Sequence, residues 1–298
     1  SVALLEARQV GWGASGRNGG QAIAGLACDQ SVIESQLGRE ASRRVWDMTL
    51  EAIRLIGERR ERFGIECDWR DGYLGLAVNE RKARELREWH ELMQRDYGYR
   101  TTWIAPQDMP GWIASPRFHS GIHDPLGGHL HPLKYSMGMA GAAASLGVKV
   151  YEESGVTEIV PGRIAKVRTA QGSVNASHVL LAGNVYLQGV APVLESRVMP
   201  VGTYIVTSEA IEPALAASLI PSGAAACDTN FVLDYFRPTL DHRMLYGGRV
   251  SYSTTTPSNL AESMQRRMAR TFPQLRDTKV EFAWGGFVDI SRNRAPDF

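Results

Sequence analysis

The chain has 298 residues and a formal net charge of +1 at pH 7, with 44% hydrophobic and 22% charged residues. That length gives one large or two ordinary domains with a sizeable core. The near-neutral charge gives no case for nucleic acid or a membrane surface, and no apolar run approaches the roughly 20 residues of a spanning helix.

Residues 2–5 (V-A-L-L) predict a buried parallel strand that ends at Glu6. In dinucleotide-binding sheets a carboxylate at the tip of the second strand accepts hydrogen bonds from the ribose hydroxyls. The alternative is an ordinary acidic residue at a strand end. The loop behind it, G-A-S-G-R-N-G-G-Q at 13–21, offers close backbone approach, N–H donors and the fixed cation of Arg17. Those groups suit a pyrophosphate; the plainer reading is a turn held by glycines. A phosphate-binding G-x-G-x-x-G belongs in a strand–turn–helix unit upstream of that acid. The chain starts at Ser1, already inside the second strand, so we expect an internal fragment.

Residues 31–63 predict one long helix or two shorter ones, with Gly38 as a break and Gly64 as a stop. A strand at 73–78 and a charged helix at 80–97 ending at Gly98 follow, then a loop rich in Pro and Gly from Trp103. His131-Pro132 opens a helix over 133–146. Short strands are expected near 148–151, 155–160, 164–169 and 174–182, the last a buried strand ending in A-G-N. Beyond Met199 the pattern is β-rich, with runs at 201–207, 230–236, 243–250 and 279–290 and an amphipathic helix at 258–271. His129 and His131 alternate as if on one strand face, but no ligand set accompanies them, so no metal is expected. Cys28, Cys67 and Cys227 are widely spaced and read as free thiols of a reducing compartment, which points to the cytoplasm.

Seven pieces in order carry a resemblance: 2–21, G-Y-L-G-L-A at 72–77, L-H-P-L-K-Y at 130–135, G-V-T-E-I at 155–159, L-L-A-G-N-V-Y at 180–186, Y-G-G-R at 246–249, and A-W-G-G…S-R-N-R-A-P-D-F at 283–298. Together they resemble the FAD-dependent amine and amino-acid oxidases of the D-amino acid oxidase type, closest to the γ-glutamylputrescine oxidoreductases. The resemblance implies an α/β fold: a Rossmann-like FAD-binding domain plus a mixed-sheet α+β substrate domain, each from discontinuous segments. Residues 1–64, 128–195 and 289–298 would form the first, incomplete domain, and 65–127 with 196–288 the second. The family continues past Phe298 with a glycine-rich segment, so the chain reads as truncated at both ends.

The resemblance also implies FAD as cofactor and a small-molecule amine as partner. Glu6 would bind the ribose, Ala14, Ser15, Arg17 and Asn18 the pyrophosphate region, and Gly20 and Gln21 the flavin side. Val156 would meet the adenine through its backbone, and Ala182 and Gly183 would lie where the dinucleotide crosses the strand ends. Tyr246, Arg249 and Tyr252, with Tyr235, are candidate substrate residues against the plainer reading of sheet surface and aromatic core; Arg292 and Arg294 are similar candidates. No catalytic acid or base is identified. The implied reaction oxidises a C–N bond by hydride transfer to flavin N5, with hydrolysis of the imine and reoxidation of the flavin either by oxygen, giving hydrogen peroxide, or by a quinone. The rivals are an NAD(P)-dependent dehydrogenase and a non-catalytic or tRNA-modifying flavin-binding relative.

Overall fold

A computed structural model of the chain describes residues 1–187, 189–252, 255–291 and 294–295. β1 (Ala3–Leu5) leads through α1 (Ala14–Arg17) to the two-residue β2 (Gln21–Ala22). The helical stretch divides at Gly38 into α2 (Gln30–Leu37) and α3 (Arg39–Phe63). Gly64 stops α3 in the left-handed conformation, at φ 61°, where a side chain costs about 1–2 kcal/mol. β3 (Arg70–Ala77) and α4 (Glu80–Tyr97) follow, with the Asn79 side chain capping α4 by accepting the Lys82 N–H. β4 (Thr102–Ile104), β5 (Ser120–His129) and α5 (Pro132–Ser145) come next. Then come β6 (Lys149–Tyr151), β7 (Val156–Val160), β8 (Ala165–Thr169), β9 (Ser173–Ala176) and α6 (Pro192–Glu195). The chain continues with β10 (Pro200–Ser208), α7 (Pro213–Leu219), β11 (Ala225–Asp228) and β12 (Tyr235–Pro238). It closes with β13 (Met244–Ser251), α8 (Leu260–Thr271) and β14 (Val280–Asp289).

These elements make a mixed α/β fold. β1 pairs in parallel with β6, and β7, β8 and β9 form an antiparallel meander. The main sheet has the order β14-β10-β13-β12-β11-β3-β5-β2, with β4 also on β5; β11 and β3 are its parallel pair. Seven strand intervals separate β14 from β2, about 34 Å in a flat sheet. Yet the Arg17 carbonyl accepts a hydrogen bond from Trp284 of β14, while Gln21 pairs with His129 of β5. Four residues span at most about 14 Å, so the sheet must curl and bring its two edges toward the same short loop.

One face of the curled sheet carries the core. Leu74, Leu76, Phe236 and Tyr246 pack there against Met264 and Met268 of α8. Strand alternation turns Tyr235 and Arg237, the neighbours of Phe236, to the opposite face, where Gly19 lies against them.

The expectations change at several places. β1 is parallel, as expected, but not buried: Val2 is 62% exposed and Leu4 41%, because among the described residues the strand pairs on one side only. Of the run at 174–182 only the start is strand. Leu180 is 90% exposed, with no described strand alongside to bury it. The strand at 230–236 begins at Tyr235. β5, β11 and α7 were not expected at all. His129 and His131 do not share a strand face, because His129 ends β5 and His131 caps α5. Among the described residues no helix is long and apolar enough to cross a membrane.

Candidate functional site

The loop from Glu6 to Gln21 is held by its own side chains and by three distant segments. Glu6 follows β1 and is half-buried; its Oε1 accepts the Arg8 N–H at 2.8 Å, and the other oxygen makes no hydrogen bond among the described residues. The segment that enters β7 runs beside it, with the Ser154 N–H donating to the Glu6 carbonyl at 2.8 Å. Val156 begins β7 two residues beyond Ser154.

Asn18 differs from the expectation. Its amide donates to the Ala14 and Ser15 carbonyls at 2.9 and 3.0 Å, and its Oδ1 accepts the Gly20 N–H at 2.8 Å. The side chain is spent on closing the turn, so Asn18 shapes the loop and has no amide left for a ligand. Gly20 sits at φ 83°, where a Cβ would collide with the Leu130 carbonyl oxygen. The turn can therefore press onto the end of β5 only with glycine there.

Arg17 makes no ion pair among the described residues. Its guanidinium lies 4.7 Å from the centre of the Trp12 ring, and its Nη1 is 3.5 Å from the Gly285 carbonyl. Trp12 in turn meets Tyr186 edge-on at 5.9 Å. Ala182 and Gly183 lead into that turn, and the next residue, Asn184, accepts the Asp289 N–H at 3.2 Å. Residues 12–21, 182–186 and 284–289 thus converge. Sequence reasoning missed Trp12, Tyr186 and Trp284, which carry no signal beyond being aromatics near glycines.

Gln21 has a buried Nε2 with no hydrogen-bond partner, and an unpaired buried amide costs about 1–3 kcal/mol. A cavity of about 190 Å³ opens beside it, lined by Ser15, Asn18, Gly20, Gln21, Leu130 and Tyr135 among others. Among the described residues, a free carboxylate oxygen at Glu6, a guanidinium without an ion pair at Arg17 and an unpaired donor at Gln21 fit the ribose, the pyrophosphate and a carbonyl-bearing ring respectively.

The substrate candidates fare differently. Tyr246 is fully buried; it stacks on Phe236 at 5.5 Å, and its hydroxyl is 2.8 Å from Thr271 Oγ1. It is a core residue. Burial raises its pKa. Arg249 sits at φ 61° where the β10–β13 register shifts, and its Nη1 donates to Ser263 Oγ of α8 at 2.7 Å. That puts it on the core side of the sheet, away from the loop. The glycines before it answer to protein groups. A Cβ at Gly247 would enter the Tyr235 ring, and one at Gly248 would lie 2.5 Å from Asp234 Oδ1. Tyr252 is 72% exposed. Tyr235 alone of these faces the loop, where a Cβ at Gly19 would fall 2.7 Å from its ring. Arg294 lies over Phe231 at 4.4 Å, and Arg292 is outside the described residues. Among the described residues no group of three His, Cys, Asp or Glu is placed to hold a metal.

The family model for FAD dependent oxidoreductases matches residues 1–298. The chain belongs to that family. It is 39% identical to the gamma-glutamylputrescine oxidoreductase of Escherichia coli K12 over all of this chain and 70% of that protein. It is 34% identical to a probable oxidoreductase, OrdL, of Haemophilus influenzae, over all of this chain and 69% of that one. Among solved structures it is similar to glycine oxidase from Geobacillus kaustophilus, with a TM-score of 0.78 at 22% identity, covering 99% of this chain and 78% of that one. This FAD-dependent oxidoreductase therefore has the fold of that glycine oxidase.

Proposed function

We propose that the protein oxidises a C–N bond of an amine or amino acid, with a γ-glutamylated diamine as the preferred class. FAD supplies the hydride acceptor. The observation that carries the reading is the convergence of the 12–21 loop with β14 through Arg17 and Trp284, in a chain 39% identical to a gamma-glutamylputrescine oxidoreductase. Glu6 receives the ribose hydroxyls, while Ser15, Arg17 and the backbone from Ala14 hold the pyrophosphate. Gly20 and Gln21 border the ring, Val156 meets the adenine through its backbone, and Ala182 and Gly183 flank the dinucleotide. Asn18 keeps the loop in shape. The sheet face that carries Tyr235 walls the substrate side and excludes water. A neutral amine needs no protein base to lose a hydride.

The domain division proposed at 1–64, 128–195 and 289–298 against 65–127 and 196–288 follows the same logic, with the large sheet built almost wholly from the second set. A cytoplasmic location is supported by three unpaired cysteines. The test is anaerobic titration of the FAD-loaded protein with a panel of amines. A γ-glutamylated diamine should bleach the flavin absorbance stoichiometrically. Bleaching by NAD(P)H with none by any amine would overturn the proposal.

A further inference from the structure

Among the described residues Arg237 is a buried cation without an ion-pair partner. It lies on β12 and is 4% exposed. Its Nε donates to the Gly19 carbonyl at 2.6 Å; among the described residues that is its one hydrogen bond, and it makes no ion pair. The two acids whose charge reaches it, Asp68 and Asp241, are taken by other cations. Lys134 donates to both Asp68 oxygens at 2.7 and 2.8 Å, and Arg243 Nε pairs with Asp241 at 2.7 Å. His129 cannot help, because its Nε2 is committed to the Gly223 carbonyl at 2.9 Å and burial keeps the ring neutral. A guanidinium stays charged at neutral pH even here. An uncompensated buried charge costs several kcal/mol, and a compact fold keeps one only where something else meets it.

The charge sits on the loop face of the sheet, bonded to the peptide that joins Gly19 to Gly20. We propose that Arg237 is a positioning residue that clamps the Gly19–Gln21 turn and sets its positive charge against the negative charge the flavin gains on reduction. The inference rests on the assignment of that turn to the flavin side of the site. A hydride adds two electrons and one proton to the ring, a net charge of −1. A fixed cation nearby favours the charged product over the neutral oxidised form. Among the described residues no carboxylate pairs with Arg237 to cancel its charge.

The test compares FAD-loaded wild-type protein with Arg237→Met and Arg237→Lys. Arg237→Met should disfavour two-electron reduction at least tenfold, a fall of about 30 mV in midpoint potential, and should raise the Kd for sulfite at least tenfold in the absence of substrate. Arg237→Lys, which keeps the charge and loses the fork, should recover at least half of both shifts. An unchanged potential and sulfite Kd in Arg237→Met overturns the proposal. So does a weaker FAD affinity alone, or a KM defect confined to carboxylate-bearing amines, which would give the charge to the substrate. Gly20→Ala separates this from the underlying assignment: if its flavin spectrum matches wild type, the turn is not at the ring. If Arg237→Met does not fold, Arg237→Lys decides, since it must keep a potential within 15 mV of wild type, half of the 30 mV equivalent of a tenfold change.

Discussion

Replacing Gly20 with alanine puts one methyl group where the loop meets the end of β5. The residue sits at φ 83° and its carbonyl accepts the Leu130 N–H at 2.9 Å, while the new Cβ would collide with the Leu130 carbonyl oxygen. That oxygen belongs to backbone, so no rotamer change relieves the clash. The left-handed conformation costs alanine about 1–2 kcal/mol, and lifting the turn off β5 forfeits a hydrogen bond worth about 1 kcal/mol. The sum, about 2–3 kcal/mol, falls on the conformation that binds cofactor. It corresponds to a roughly 30- to 150-fold rise in the Kd for FAD. The turn can peel away without opening the core, so the melting temperature of the apoprotein should hardly change. Fluorescence titration of the stripped protein with FAD gives the first quantity and calorimetry the second. FAD affinity within twofold of wild type would refute the placement of Gly20 in the site.

Three further outcomes are expected. Glu6→Ala should weaken FAD binding by about 1.5–3 kcal/mol, the worth of a charge-assisted hydrogen bond, with little change in urea unfolding; unchanged affinity would remove Glu6 from the site. Arg249→Met should lower stability by about 0.5–1.5 kcal/mol through loss of its bond to Ser263. It should alter KM equally for carboxylate-bearing and simple amines, and a selective loss on the former would return it to the substrate pocket. His129 is 1% exposed and burial lowers its pKa to about 4. The unfolded chain therefore binds more protons between pH 6.5 and 4, and the native state is favoured in full above pH 6.5 and loses ground as the pH falls. By pH 5 the loss from this residue is about 2 kcal/mol. Urea midpoints of wild type and His129→Asn at pH 7.5 and 5 should differ in pH dependence, and parallel behaviour would contradict the burial argument.

The helices were legible because glycine marks their ends: Gly38, Gly64 and Gly98 stop runs whose apolar residues recur at helical spacing. β5 was not, because S-G-I-H-D-P-L-G-G-H neither alternates nor shows β-branched enrichment. Its glycines belong to neighbours instead: a Cβ at Gly128 would lie 2.5 Å from the Trp69 ring. β11, A-A-C-D, is a strand because β3 and β12 flank it. In the site, Glu6 and the glycine loop announced themselves by composition. Arg237 did not, since an arginine in F-R-P looks like any basic strand residue until its neighbours are seen to be spoken for. Y-G-G-R misled for a related reason: the glycines do mark a close approach, but to Tyr235 and Asp234.

The bond between the Trp284 indole and the Arg17 carbonyl joins residues 267 positions apart. Closing a loop of that length costs roughly 2 kcal/mol more than closing one of about 33 residues, three doublings at about 0.6 kcal/mol each. On the ribosome, the glycine loop must wait while 267 further residues emerge before its far wall exists. With FAD placed as proposed, capture of the dinucleotide becomes a closing event of maturation, and a nascent chain stalled before β14 should leave the ribosome colourless, however well its core has already formed.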